Sequence, residues 1–177
     1  MSKLWGDVFQ LAFVVDDLEA QLAHWTGTMG VGPFYRFGLP LALEWLEMKG
    51  ERVDPAADIF GGVAVAYSGD MMIELIQPGT APSIYRDFLD AGRSGLHHLG
   101  SFTDDLDRTL AAAQARGIGV AMAGQLPLSR FAYFDTDAHG QGTMMEVIEP
   151  QQSMIDLFDR IRLAARDWDG SDPVREM

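Results

Sequence analysis

An internal repeat limits what this chain can fold into more than any other feature, because duplicated segments build two similar modules from matched strands and helices. Residues 10–25, QLAFVVDDLEAQLAHW, align with 98–113, HLGSFTDDLDRTLAAA. Six of the sixteen positions are identical: Leu11/Leu99, Asp16/Asp104, Asp17/Asp105, Leu18/Leu106, Leu22/Leu110 and Ala23/Ala111. Residues 72–78, MIELIQP, align with 144–150, MMEVIEP, sharing Met72/Met144, Glu74/Glu146, Ile76/Ile148 and Pro78/Pro150. Both pairings run in the same order, so the chain is a tandem duplication. The offset is 88 in the first pairing and 72 in the second, so the first copy carries 16 additional residues. We place them within LPLALEWLEMKGERVDPAAD, 39–58, as an extra strand, a lid or a contact surface.

Each copy reads as strand, helix, then three strands. β-Branched and aromatic residues predict strands over 8–15 and 96–103. In both copies an Asp-Asp pair then supplies an N-cap, predicting amphipathic helices near 17–28 and 105–116. Gly30 and Gly32, and Gly117 and Gly119, mark the exits. Further strands are expected near 33–37, 60–68 and 70–77, the last two joined at Ser68-Gly69-Asp70, and near 118–124, 130–136 and 143–149. The expected organisation is a first βαβββ module over 8–79 with its insertion, a linker with a short helix over 80–95, a second βαβββ module over 96–150, and a C-terminal helix and tail over 151–177. The last helix, 153–166, groups Met154, Ile155, Phe158, Ile161 and Ala165 on one side, and the tail beyond it is expected to fray or to serve as a contact arm.

Composition removes several function classes. Thirteen Lys and Arg against 26 Asp and Glu leave a net charge of −13, which repels phosphate backbones and anionic lipid, so neither nucleic acid nor a membrane is an expected partner. The absence of cysteine removes disulfides, thiolate metal sites and a cysteine nucleophile. No apolar run is long enough to span a bilayer and the N-terminus has no secretory pattern, so a cytoplasmic protein is expected.

Strand alternation then isolates four polar side chains. On the first strand Phe9, Leu11, Phe13 and Val15 share the face expected to meet the helix, and Gln10, Ala12 and Val14 share the other. His98 takes the place of Gln10 in the second copy. Glu74 lies between Met72 and Ile76, and Glu146 between Met144 and Ile148. An unpaired carboxylate on such a face is costly, whereas two Glu, a His and a Gln brought together by a pseudo-two-fold axis make a mixed nitrogen and oxygen site for a divalent cation.

The paired modules, with FQLAFVVDDLEA, GLHHLGSFTDDL, MIELIQP and MMEVIEP, resemble the vicinal oxygen chelate superfamily, which includes glyoxalase I, methylmalonyl-CoA epimerase, extradiol dioxygenases and bleomycin- and fosfomycin-resistance proteins. The resemblance covers roughly residues 8–150. It implies an α+β fold in which two βαβββ modules form a curved mixed sheet around a metal-binding cleft. It places the metal-facing positions on Gln10, Glu74, His98 and Glu146, a set similar to that of eukaryotic-type glyoxalase I. The first two positions depart from the His-then-Gln order of methylmalonyl-CoA epimerase, and one His is too few for an extradiol dioxygenase. The implied chemistry is proton removal next to a carbonyl in a metal-dependent isomerase, lyase or epimerase, with Zn²⁺, Ni²⁺, Co²⁺ or Mg²⁺ stabilising an enediolate. Glu146 is the first choice of base and Glu74 the second. The alternative is a non-catalytic binding protein of this fold that holds a hydrophobic small molecule.

For the substrate, an acyl-CoA or a thiol adduct, the candidate cations are Arg36, Lys49, Arg52, Arg86, Arg93 and Arg130. The candidate apolar lining is Trp45, Met48, Met72, Phe131, Tyr133 and Met144. His97 and His24 are expected to be structural, and His139 to sit in a Gly-rich turn. A homodimer is expected, with the terminal helix and Trp168 available for the contact.

Overall fold

The computed structural model describes residues 2–137 and 142–177. Its elements are β1 (Val8–Val14), α1 (Leu18–Gly27), β2 (Phe34–Arg36), β3 (Trp45–Met48), β4 (Glu51–Val53), β5 (Phe60–Ser68), β6 (Met71–Pro78), α2 (Ile84–Asp90), β7 (Gly95–Phe102), α3 (Leu106–Gln114), β8 (Val120–Leu126), β9 (Ser129–Phe134), β10 (Met144–Pro150), α4 (Gln152–Arg166) and β11 (Val174–Glu176). The fold is α+β, with mixed sheet and a C-terminal helix.

Local sequence explains the element starts. Asp17 caps α1 by accepting from the Ala20 amide at 3.0 Å, and Asp105 caps α3 by accepting from the Arg108 amide at 2.8 Å. The second member of each Asp-Asp pair is thus the cap. One residue further on, the Leu18 amide donates to the Gln77 side chain at 2.9 Å and the Leu106 amide to the Glu149 side chain at 3.2 Å. Both copies tie the helix entry to the same position of the closing strand, satisfying an amide that the helix leaves free. Gly69, at φ 63°, supplies the left-handed residue of the β5–β6 hairpin.

The chain divides into two compact units. The first comprises Gln10–Leu41, Asp58–His97 and Asp156–Met177. Its strands follow the order β11-β2-β5-β6-β1, with parallel pairing at both ends and antiparallel pairing between. The core lies between this sheet and α1, where Leu18 and Leu22 meet Phe34, Ala64, Ala66, Ile73 and Leu75, with Leu11 and Phe13 packed alongside. The helix-facing side of β1 is therefore the one alternation selects.

The second unit comprises the N-terminal residues through Phe9, then Ala42–Ala57 and His98–Ile155. Its order is β7-β10-β9-β8-β3-β4, parallel for β7 with β10 and antiparallel for the rest. Leu106 and Ala113 of α3 pack on Ala123, Ala132, Phe134, Met145 and Val147.

Two segments pair away from their own copy. The insertion forms the β3–β4 hairpin, and β3 pairs antiparallel with β8, so it is a sheet extension. The tail does not fray: β11 pairs parallel with β2, the Phe34 amide donating to the Pro173 carbonyl at 2.8 Å and the Met177 amide to the Arg36 carbonyl at 3.0 Å. The Trp168 ring lies over Gly32, where a β-carbon would come within 2.8 Å of it. The edge position of β2 explains this pairing, since its backbone groups need partners that solvent would otherwise have to supply.

Candidate functional site

In the first unit β1 and β6 run parallel with Gln10 opposite Met72 and Ala12 opposite Glu74. The pleat therefore sends Gln10, Ala12, Val14, Met72, Glu74 and Ile76 to the face away from α1, and β5 adds Val63, Val65 and Tyr67. Gln10 is 3% exposed, and its buried side-chain oxygen accepts no hydrogen bond. That orphaned acceptor is unfavourable unless a cation or a donor from a ligand satisfies it. Glu74 is half-buried beside it. Burial pushes the Tyr67 phenol up to about 12, which keeps it a neutral donor.

The second unit repeats this register. β7 and β10 run parallel with His98 opposite Met144 and Gly100 opposite Glu146. Each copy thus sets a nitrogen- or amide-bearing side chain opposite a methionine, with a glutamate two residues further along the closing strand. His98 is fully buried and Glu146 is 6% exposed, with His98 Nε2 3.4 Å from Glu146 Oε2. Tyr133 lies opposite Glu146 on β9, and its ring meets the His98 ring edge-on at 4.9 Å. Cross-strand register places Leu46, Met48, Met122, Phe131 and Ile148 on the same face. Gly124 makes room for Phe131, whose ring would lie 2.6 Å from a β-carbon there. A carboxylate and an imidazole walled by aromatic and thioether groups are desolvated, the condition in which hard oxygen and borderline nitrogen donors take a divalent cation.

The four candidate ligands therefore fall as two pairs, each on the apolar face opposite its unit's core. Of the expected lining, Met48, Phe131, Tyr133 and Met144 share the His98 face and Met72 shares the Gln10 face. Trp45 does not line it: it pairs with Gln125 and packs in the core beneath α3, because the odd residues of β3 point that way. Leu46, Met122 and Tyr67 join these faces without having been expected there, although the two-residue period of GGVAVAYS already puts Tyr67 with Val65.

The candidate cations have other duties. Arg130 pairs with Asp107 at 2.7 Å and Glu149 at 3.1 Å, Arg36 with Glu19 at 2.6 Å, and Arg52 with Glu47 at 3.0 Å. Arg86 donates to the Gly79 carbonyl at 2.6 Å, Arg93 covers the Phe88 ring at 4.3 Å, and Lys49 is an exposed turn residue. His97 is buried between the Tyr85 and Phe88 rings, 5.3 and 5.0 Å away, a packing role, and His24 is exposed on α1. His139 lies outside the described residues.

Comparison with known proteins bears on the family and the fold. Residues 9–134 match the profile of the Glyoxalase/Bleomycin resistance protein/Dioxygenase superfamily. Among solved structures, methylmalonyl-CoA epimerase from Mycobacterium tuberculosis superimposes with TM-score 0.61 at 19% identity, over 88% of this chain and 95% of that one. A Streptomyces coelicolor methylmalonyl-CoA epimerase variant in complex with 2-nitronate-propionyl-CoA gives 0.58 at 16% identity, over 84% and 96%. A hypothetical protein from Bacillus halodurans C-125 gives 0.56 at 14%, over 82% and 95%. No curated protein matches the sequence. At these identities the structures share the fold alone, whereas the profile spans most of the chain. With its two copies of one strand–helix–strand register and a matching profile, the chain belongs to the Glyoxalase/Bleomycin resistance protein/Dioxygenase superfamily.

Proposed function

We propose that Gln10, Glu74, His98 and Glu146 serve one divalent cation, and that the protein is a metal-dependent isomerase, lyase or epimerase that moves a proton next to a carbonyl. The observation that carries this reading is the repeated register of buried polar side chains on otherwise apolar faces. The donor set fits in kind: two carboxylates and an imidazole are ligand types that a divalent cation takes, and the orphaned oxygen of Gln10 offers a neutral fourth donor. Such a cation would act as a Lewis acid toward substrate oxygens, making the neighbouring C–H more acidic.

The chain's own residues would do the rest. Glu146 accepts the proton on a carboxylate oxygen and returns it, acting as general base and then as general acid. His98 Nε2 lies 3.4 Å from a Glu146 carboxylate oxygen, close enough for both side chains to serve the same cation. Tyr67, neutral at physiological pH, can donate to a substrate oxygen. Phe131, Tyr133, Met122 and Met144 exclude water and suit an acyl body. Solved epimerases of this fold carry methylmalonyl-CoA or 2-nitronate-propionyl-CoA. We therefore place an acyl-CoA or a comparable thiol adduct first among substrates.

Elemental analysis of protein purified without a polyhistidine tag tests the reading. The expected result is about one divalent metal per chain, absent from His98→Ala. Glu146→Gln should lose about 10²-fold or more of solvent-deuterium exchange into 2-methyl acyl-CoA or 2-oxoaldehyde hemithioacetal substrates. A metal-free protein that takes up no added Zn²⁺, Ni²⁺ or Co²⁺ would overturn it.

A further inference from the structure

A cavity lies in the second unit, bounded by the N-terminal turn, the end of β7 and one side of α3. It has a volume of about 440 Å³ and is bordered by Lys3, Trp5, Phe102, Arg108, Ala112 and Arg116. Arg108 and Ala112 are four residues apart, as are Ala112 and Arg116, so they follow one another along one side of α3 and its exit. The opposite wall is a built turn. The Ser2 hydroxyl accepts from the Trp5 amide at 3.1 Å, the Ser2 and Gly6 backbones pair at 3.0 and 3.1 Å, and Trp5 is anchored on Phe134 with ring centroids 4.6 Å apart. This holds Lys3 at the rim across from α3. Phe102 forms an apolar wall, fixed by stacking on Phe9 at 4.0 Å and 11°.

The charges here run against the rest of the molecule. The chain carries twice as many acidic as basic residues. Yet three basic side chains border this one cavity, against a single lining carboxylate, Asp104. Among the described residues Lys3 and Arg108 make no ion pair, and the bond from Arg116 goes to the Ala112 carbonyl at 2.7 Å. The neighbouring acids are engaged elsewhere, Asp105 as the α3 cap and Asp107 with Arg130. Leaving these cations unmatched gives no stability in a folded chain, but it leaves donors for an anion. Three positive charges offset by one match a dianion, and the volume exceeds what a bare phosphate ion fills.

We propose that this cavity binds a phosphate monoester of a small apolar or aromatic molecule, with the phosphoryl group between Lys3, Arg108 and Arg116 and the organic body against Phe102 and the Trp5 turn. The site lies wholly within the second unit and does not depend on the metal reading.

The test is calorimetric titration of the full-length protein with phenyl phosphate, alongside inorganic phosphate, benzoate and phenol, while amide resonances of residues 103–116 are followed by NMR. Phenyl phosphate is expected to saturate with shifts confined to Thr103, α3 and the N-terminal turn, and to weaken as salt rises. Arg108→Ala and Arg116→Ala are expected to lower the affinity about tenfold or more each, with unchanged circular dichroism. Asp104→Asn should raise it, and His98→Ala should leave it unchanged. Benzoate binding equally well would overturn the phosphate assignment. No saturable binding of phenyl phosphate, or binding insensitive to both arginine variants, would overturn the site.

Discussion

At the residue scale, Gln10 separates a ligand from a packing residue. Its buried oxygen is unsatisfied, so Gln10→Leu should stabilise the metal-free protein by about 1 kcal/mol, because an orphaned acceptor is replaced by an apolar group of similar size. The same substitution should weaken metal binding about tenfold or more. Thermal melts with and without metal check both signs, and a loss of stability in both states would contradict the ligand role. Tyr67 supplies a pH dependence. Its folded value, about 12, lies above the ordinary 10.0, so the fold favours the protonated phenol. The resulting stabilisation is complete below pH 10 and is lost as pH rises from 10 through 12. Tyrosinate absorbance should show one late-titrating phase that Tyr67→Phe removes. Gln10, Glu74, His98 and Glu146 are all legible in the sequence through alternation. Trp45 is not, because a short inserted strand has no repeat partner to set its phase.

At the element scale, the two copies share more than their identical residues. Gln77 and Glu149 differ in type, yet each receives the first helical amide of its copy. This tie is hidden in the sequence because Gln and Glu align without matching, and only the parallel strand pairing brings them to the helix entry. Asp17→Ala and Asp105→Ala should each cost about 1 kcal/mol, measured by denaturant melts, because each removes the cap acceptor. The β3–β4 hairpin is held by burial as well as pairing: Leu46 is 0% exposed opposite Gly124. Leu46→Ala should cost about 2–5 kcal/mol and should release the hairpin, read as faster hydrogen exchange at Glu44 and Lys49, whose amides donate to the Gln125 and Ala121 carbonyls.

At the scale of the whole chain, each compact unit takes segments from both ends of the sequence. Ala42–Ala57 belongs with the second copy, and Asp156–Met177 with the first. Neither half should therefore fold alone. A fragment of residues 1–79 lacks the tail strand of its sheet, and one of 80–177 lacks the β3 edge, so both are expected to show no cooperative melt. Removing residues 167–177 uncovers the β2 edge and should lower the melting temperature and raise light scattering. No helix among the described residues is long and apolar enough to cross a membrane. The sequence by itself determined the duplication, the strand–helix–strand order, the helix caps and the face on which the four polar side chains lie. Those follow from local periodicity and from positions compared between two copies of one pattern. Only the tertiary structure decided where the unrepeated segments go. A short hairpin and a three-residue strand carry too little pattern to name a partner, and each takes its place from an open sheet edge whose backbone groups need one. It decided the fate of the cations as well, since an arginine is committed by the carboxylates folding brings near it. Arg130 went to an ion pair beside α3, while Arg108 and Arg116 were left facing a cavity.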